Sequence, residues 1–144
     1  MNAPWRGMTA LVVDDDELIT IELASLLTNL GVQVRGSAFS APEALLKVED
    51  LRPDFVTMDI HLGAPGEGLA AVTLLRATDL TTRVLFVTGR YDPERADELR
   101  SLGPAEVVVK PVSALELEEA LGRLFGAPSP TPAGIAEGGR TGPQ

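Results

Sequence analysis

The fold is decided by residues 9–31, TALVVDDDELITIELASLLTNLG, where a short apolar run meets an acidic turn and then a helical pattern. The apolar run at residues 9–14 predicts a buried strand. The apolar face of residues 17–31 has helical spacing and ends at Gly31, a typical helix stop; it comprises Ile19, Leu23, Leu26, Leu27 and Leu30. A strand followed at once by a helix favours a crossover to a parallel neighbour.

The same alternation continues along the rest of the chain. Helical patterns separate four further strand patterns, which occupy residues 32–36, 54–59, 83–88 and 105–110. Strands joined by helices predict a parallel sheet with helices on both faces and right-handed crossovers. The second strand alternates only weakly and is expected at an edge, whereas the first, third and fourth are uniformly apolar and are expected in the middle. We therefore predict one doubly wound α/β domain of five strands and five helices.

Charge and composition exclude several classes of protein. The 144 residues carry a formal net charge of −9, which argues against a nucleic-acid binder and suits a basic partner or a bound cation. The chain has no cysteine, so disulfides and thiolate metal sites are excluded. No apolar run is long enough to insert in a membrane, and the first residues, MNAPWRGM, lack an apolar signal region. We expect a cytoplasmic protein.

The chain divides into three parts by composition. Residues 1–8 are a short lead-in, and residues 9–125 hold every strand and helix pattern. Residues 126–144, GAPSPTPAGIAEGGRTGPQ, are rich in Gly, Pro and Ala and show no apolar periodicity. We predict that this last part is a flexible tail that contributes nothing to the core.

Reactive side chains follow four of the five predicted strands. Asp14 and Asp15 end the first strand, Asp59 ends the third, Thr88 the fourth and Lys110 the fifth. In an open parallel sheet, ligands bind beyond these strand ends, so the side chains should converge. Clustered carboxylates repel one another, and Mg²⁺ with oxygen ligands removes that repulsion. A hydroxyl and an ammonium suit phosphoryl oxygens, and a carboxylate can act as nucleophile, so we predict phosphoryl transfer to an aspartate.

Four segments in order carry a family resemblance. They are LVVDDDEL (11–18), PDFVTMDIHL (53–62), VLFVTG (84–89) and VVVKP (107–111). Together they resemble the receiver domain of bacterial two-component response regulators over about residues 8–125. The resemblance implies a flavodoxin-like sheet of strand order 2-1-3-4-5.

The resemblance also implies a role for each site residue. Asp59 would be the phosphoacceptor, and Mg²⁺ would be held by Asp14, Asp15, Asp59 and the backbone carbonyl of His61. Thr88 and Lys110 would bind the phosphoryl group. The Lys110–Pro111 bond is a candidate cis peptide bond. Asp16 is expected only to cap the first helix.

The switch region departs from the family pattern. Many receivers carry an aromatic residue three positions before the lysine, where this chain has Val107. The residues after Thr88 are Gly89, Arg90 and Tyr91, which resembles the FATG signature of single-domain receivers that lack the aromatic switch. A loop hinged at Gly89, with Tyr91 supplying a ring, is the predicted substitute. The segment after Asp59, IHLGAPGEG, is also longer and richer in glycine than usual.

The resemblance predicts a single-domain response regulator in a phosphorelay. A histidine kinase or phosphotransfer protein would phosphorylate Asp59, and the chain would catalyse only its own phosphorylation and dephosphorylation. Output would pass through protein contacts at the face of the fourth helix, fifth strand and fifth helix, or the chain would act as a phosphate shuttle or sink. A homodimer is left open, and no nucleic-acid partner is expected.

Two alternatives come from other functional classes. Asp14 and Asp16 form an Asp-x-Asp motif after a strand, as in dehalogenase-type aspartate-nucleophile phosphatases. Against this alternative, no late acidic pair follows Lys110 and no cap domain fits into 144 residues. A degenerate receiver acting as a pure binding module is the other alternative, and the complete set of site residues argues against it.

Overall fold

The computed structural model describes residues 3–126, which form five strands and five helices in strict alternation. The strands are β1 (Thr9–Val13), β2 (Gln33–Ala38), β3 (Phe55–Asp59), β4 (Arg83–Thr88) and β5 (Ala105–Val109). The helices are α1 (Glu17–Asn29), α2 (Ala41–Leu51), α3 (Glu67–Arg76), α4 (Pro93–Arg100) and α5 (Ala114–Leu124). Apart from Gly126, the predicted tail lies outside the described residues.

All strand pairs are parallel, and the sheet order is β2-β1-β3-β4-β5. This confirms the doubly wound, flavodoxin-like α/β fold and the edge position of the second strand. The order reverses beside β1, because the chain runs from β1 outward to β2 and then returns to β3. The strand ends on either side of that reversal form the crevice in which such folds bind ligands.

Alternate side chains of each strand enter two separate cores. Val56 and Phe86 pack under α2, α3 and α4, whereas Phe55 and Leu85 pack under α1 and α5. Each fully buried side chain of this size stabilises the fold by about 1.5–3 kcal/mol. With both faces covered, the central strands β1, β3 and β4 are largely apolar.

Several strand boundaries differ by one or two residues from those predicted. β2 continues to Ala38 because Ala38 pairs with Val13, after a register shift between Ala10 and Leu11. No helix within residues 3–126 is long and apolar enough to cross a membrane.

The lead-in packs against the N-terminal edge of the sheet. The Trp5 indole N–H donates to the carbonyl of Leu30 at 3.1 Å, at the end of α1. The carbonyl of Met8 accepts the N–H of Gln33 at 2.8 Å, where β2 begins. The described lead-in residues therefore cover the bottom of the α1 and α5 core.

Candidate functional site

Three carboxylates meet at the carboxyl edge of β1 and β3. Asp14 and Asp15 follow β1, and Asp59 is the last residue of β3. One carboxylate oxygen from each lies within 4.8 Å of the others. Asp14 and Asp59 are buried and Asp15 is exposed, so the cluster is open to solvent on one side only.

Lys110 partly balances this charge. Its Nζ lies 3.0 Å from Oδ2 of Asp14 and 3.5 Å from Oδ2 of Asp59. Burial lowers the pKa of Lys110, but the hydrogen bond to Asp14 and the charges of both carboxylates outweigh burial and raise the pKa above its usual value. Lys110 is therefore a cation at neutral pH. Three carboxylates and one ammonium leave an excess of negative charge at the site.

Backbone N–H groups orient each of the three carboxylates. Oδ1 of Asp14 accepts from the N–H of Asp16 at 2.9 Å, and Oδ1 of Asp59 accepts from the N–H of His61 at 3.1 Å. Oδ2 of Asp15 accepts from the N–H of Gly63 at 3.1 Å. Burial, together with the charge of Asp59, raises the pKa of Asp14 more than the hydrogen bond from Asp16 and the contact with Lys110 lower it. A divalent cation would relieve that penalty because it favours the ionised carboxylate.

The oxygen-only donor set fits Mg²⁺. This small hard cation binds one or two carboxylates together with waters and phosphate oxygens. Asp14, Asp15 and Asp59 could hold it, and one open side leaves room for water and a phosphoryl group.

The His61 side chain braces the long loop between β3 and α3. Its Nδ1 accepts the N–H of Gly66 at 3.0 Å, and the ring is exposed. The imidazole therefore stabilises the loop. The backbone carbonyl of the same residue is the predicted Mg²⁺ ligand. The sequence of this loop did not predict the hydrogen bond from Gly66 to His61.

Gly68 is a further residue of the site that the sequence analysis did not single out. A Cβ atom at Gly68 would lie 1.8 Å from the carbonyl oxygen of Asp59. Only glycine allows the first turn of α3 to approach the end of β3 so closely. The glycine-rich character of the loop was the available signal, but it did not mark which glycine is required.

The residues of the predicted switch lie in β4, in β5 and in the loop that follows β4. The Thr88 hydroxyl donates to the carbonyl of Arg90 at 3.1 Å, so it is bonded within its own loop. Gly89 has no atoms near the position of a Cβ, and Tyr91 is 54% exposed. Val107 is buried in β5. The structure thus brings Lys110 into contact with Asp14 and Asp59, whereas the Thr88 hydroxyl is bonded within the loop that follows it.

A cleft of about 550 Å³ lies between the loop after β3 and the loop after β4. Its lining includes His61, Thr88, Arg90 and Tyr91.

The Lys110–Pro111 peptide bond is cis, as predicted. The Gly103–Pro104 bond is also cis, which was not predicted.

Comparisons with known proteins agree with this geometry. The family model of the response regulator receiver domain matches residues 10–122. The chemotaxis protein CheY of Thermotoga maritima is 28% identical over 118 residues, which cover 82% of this chain and 98% of that protein.

Two solved structures are similar to the whole domain. One is the CheX–CheY–BeF₃–Mg²⁺ complex from Borrelia burgdorferi, with a TM-score of 0.76 and 21% identity over 83% of this chain and 90% of the matched chain. The other is the receiver domain of the PhyR response regulator from Erythrobacter litoralis, with a TM-score of 0.69 and 26% identity over 89% of this chain and 98% of that one.

Proposed function

This chain belongs to the response regulator receiver domain family, and from that membership we propose that it is a single-domain response regulator phosphorylated on Asp59. A histidine kinase or phosphotransfer protein is the proposed donor, and Mg²⁺ is the proposed cofactor. The observation that carries the proposal is Lys110, whose Nζ contacts both Asp14 and Asp59 at the edge where three carboxylates meet.

In the proposed reaction, a carboxylate oxygen of Asp59 attacks the phosphorus of a phosphohistidine. The new P–O bond forms as the P–N bond breaks, and the donor imidazole leaves and takes up a proton. The N–H of His61, bonded to Oδ1 of Asp59, orients the nucleophile. Lys110 stabilises charge on the transferred oxygens, and positioning and charge neutralisation do most of the catalysis. Asp14, Asp15, Asp59 and the carbonyl of His61 would hold Mg²⁺, which would supply further charge neutralisation.

The proposed switch begins at Thr88. Its hydroxyl would exchange the carbonyl of Arg90 for a phosphoryl oxygen, which would move the loop that contains Gly89 and Tyr91. Val107 supplies no ring to rotate, so the proposed signal runs through this loop to α4.

The α4, β5 and α5 face is the proposed output surface. Glu106 of β5 accepts from Nε of Arg100 in α4 at 3.2 Å and lies 3.3 Å from Nε of Arg123 in α5. These ion pairs connect the three elements, which would therefore move as one surface.

In the same proposal, residues 9–125 are the receiver domain and residues 126–144 are a tail. The protein is proposed to be cytoplasmic and able to form a homodimer.

Intact mass measurement tests the phosphoryl acceptor. After incubation with a small phosphodonor and Mg²⁺, we expect one added phosphoryl group, absent after chelation and in Asp59→Asn. Asp54→Asn is the control, because Asp54 bonds to Thr9 at the opposite edge of the sheet, and it should be modified like the wild type. An unmodified wild type would contradict the proposal. Hydrolysis of phosphomonoesters that survives Asp59→Ala but not Asp14→Ala would favour an aspartate-nucleophile phosphatase instead.

A further inference from the structure

Three exposed leucines lie in one groove between α2 and α3. Leu46 on α2, Leu74 on α3 and Leu80 after α3 are 68%, 64% and 73% exposed. All three line a concavity of about 870 Å³ at the N-terminal edge of the sheet, on the face opposite α1 and α5. Isolated exposed leucines are common on protein surfaces, but several that share one concavity are typical of a contact surface.

Charges of both signs surround this groove. Its lining includes the acids Glu49, Asp54 and Asp79 and the bases Arg52 and Arg83. This near balance gives little attraction to an anionic membrane or to a strongly charged partner. The groove therefore fits an apolar segment that carries few charges of its own.

The chain itself leaves the domain beside this groove. Arg83 lines the groove, and its Nε donates to the carbonyl of Leu124 at 3.1 Å, at the end of α5. The same guanidinium lies 4.8 Å from the centre of the Phe125 ring. Gly126 follows and is the last residue that the structure describes. Residue 127 therefore begins next to the groove, at the same edge of the sheet.

The next residues have the composition that suits this groove. Residues 127–137 read APSPTPAGIAE, in which Ile135 is the large apolar side chain and Glu137 is the charged one. Prolines at alternate positions favour an extended backbone, because proline fixes its own φ and restricts the residue before it. Such a segment loses less conformational entropy on binding than a freely flexible one.

This segment is long enough to cross the groove. At about 3.1 Å per residue, the nine residues after Gly126 span about 28 Å to Ile135. The part of α2 that lines the groove, residues 45–52, is only about 10 Å long. Ile135 can therefore come within reach of the three exposed leucines.

Attachment to the same chain also favours this occupant over a separate molecule. A short tether presents a segment at an effective concentration of about 1 mM, so even a Kd of that order gives half occupancy. A second copy or a partner protein at micromolar concentration would need an affinity about a thousandfold higher to reach the same occupancy.

We propose that residues 127–137 of this chain bind back into the groove between α2 and α3, with Ile135 packed against the three exposed leucines. The exposed Arg52 would pair with Glu137. Docking would withhold the leucines from other molecules. This contact does not require phosphorylation of Asp59, and the groove is separate from the α4, β5 and α5 face.

Disulfide trapping tests the contact in the full chain. The chain has no cysteine of its own, so Thr78→Cys in the groove lining and Ala136→Cys beside Ile135 introduce the only two thiols. In a buffer of reduced and oxidised glutathione, the fraction of intramolecular disulfide, measured by intact mass, gives the effective concentration of the two thiols. We expect a value about tenfold higher than for a pair of thiols that meet only at random.

Asn29→Cys with Ala136→Cys is the matched control pair. Asn29 is the exposed last residue of α1, and this helix packs in the same core cluster as Phe125, beside the point where residue 127 begins. Equal effective concentrations for the two pairs would overturn the proposal. A Thr78→Cys, Ala136→Cys chain that forms its disulfide mainly between two copies would assign the groove to a second copy and would also overturn it.

The apolar contact is tested by charged substitutions in the Thr78→Cys, Ala136→Cys chain. We expect Ile135→Glu and Leu46→Glu each to lower the effective concentration about tenfold, to the level of the control pair. Leu115→Glu is the matched control, because Leu115 is 64% exposed on α5 and lies outside the groove lining, and it should change the value by no more than about twofold. Equal loss in Leu46→Glu and Leu115→Glu, or loss in neither, would refute the docking of Ile135.

Discussion

At the scale of single residues, Thr57 is a polar side chain buried among apolar residues. Its Oγ1 is the buried side-chain oxygen for which the described part of the chain offers no hydrogen-bond partner. Its neighbours in the sheet are Val12 and Leu85. A buried polar group without a partner costs free energy, and a valine of the same shape removes that cost. We expect Thr57→Val to leave the free energy of unfolding unchanged or to raise it by up to about 1 kcal/mol.

Thr9→Val is the comparison for Thr57→Val. The Thr9 hydroxyl donates to Asp54 at 3.1 Å and accepts the N–H of Asp54 at 3.0 Å. The valine should therefore destabilise the protein by about 0.5–1.5 kcal/mol in urea unfolding. A loss of stability in Thr57→Val as large as that in Thr9→Val would mean that Thr57 has a partner in solution.

Asp79 predicts a pH dependence of stability. Burial raises its pKa, but hydrogen bonds from the hydroxyls and backbone N–H groups of Thr81 and Thr82 outweigh burial and hold the pKa well below 3.8. Because the folded-state pKa is the lower one, this carboxylate stabilises the protein above the unfolded value, and the contribution is lost as the pH falls through the folded-state pKa.

The corresponding variant is Asp79→Asn. We expect the wild type to be more stable than Asp79→Asn at about pH 6 and the difference to shrink below about pH 4, as measured by urea unfolding at each pH. A difference that stays constant down to about pH 2 would contradict the assignment.

At the scale of elements, the junction of β3 and α3 depends on Gly68. A methyl group there would overlap the carbonyl oxygen of Asp59 at 1.8 Å, so Gly68→Ala must displace either the helix or the strand end. We expect a loss of about 1–3 kcal/mol of unfolding free energy and slower phosphorylation. Gly89→Ala is the control for stability, because no atom lies near its Cβ position. Equal stability of the two variants would show that the junction has room to adjust.

Strands with a continuous apolar pattern could be predicted from the sequence. Strand residues that are defined only by their pairing partners could not. β1, β3 and β4 are continuous apolar runs because helices cover both of their faces, so their composition identifies them. The last residues of β2 are recognisable only through their partners: Ala38 is a strand residue because it pairs with Val13. The packing of Trp5 on Leu30 likewise depends on a contact across 25 positions of chain.

At the scale of the whole molecule, the topology of the sheet brings the residues of the site together. Strand ends meet at one edge in any parallel sheet, so the convergence of Asp14, Asp59 and Lys110 followed from their positions in the sequence. The bond from Gly63 to Asp15 and the bond of Thr88 within its own loop depend on loop conformations that no periodicity encodes.

Cation binding should stabilise the molecule as a whole. Mg²⁺ that binds only the folded state adds about 2.7 kcal/mol at a hundredfold excess over Kd, so we expect it to raise the Tm of the wild type and to raise that of Asp15→Asn much less. Asp16→Asn is the matched control. Asp16 caps α1, outside the carboxylate cluster, and asparagine caps as well. An equal response to Mg²⁺ in both variants would contradict the assigned ligands.

The position of Trp5 has a consequence for spectroscopy. This chain has one tryptophan, and it packs beside Leu30 at the end of the sheet remote from Asp59. The length of β1, at about 3.3 Å per residue, separates the indole from the carboxylates. Intrinsic fluorescence should therefore respond to unfolding and stay nearly constant when a cation or a phosphoryl group binds, so emission from Trp5 reports the integrity of the fold independently of the occupancy of the site.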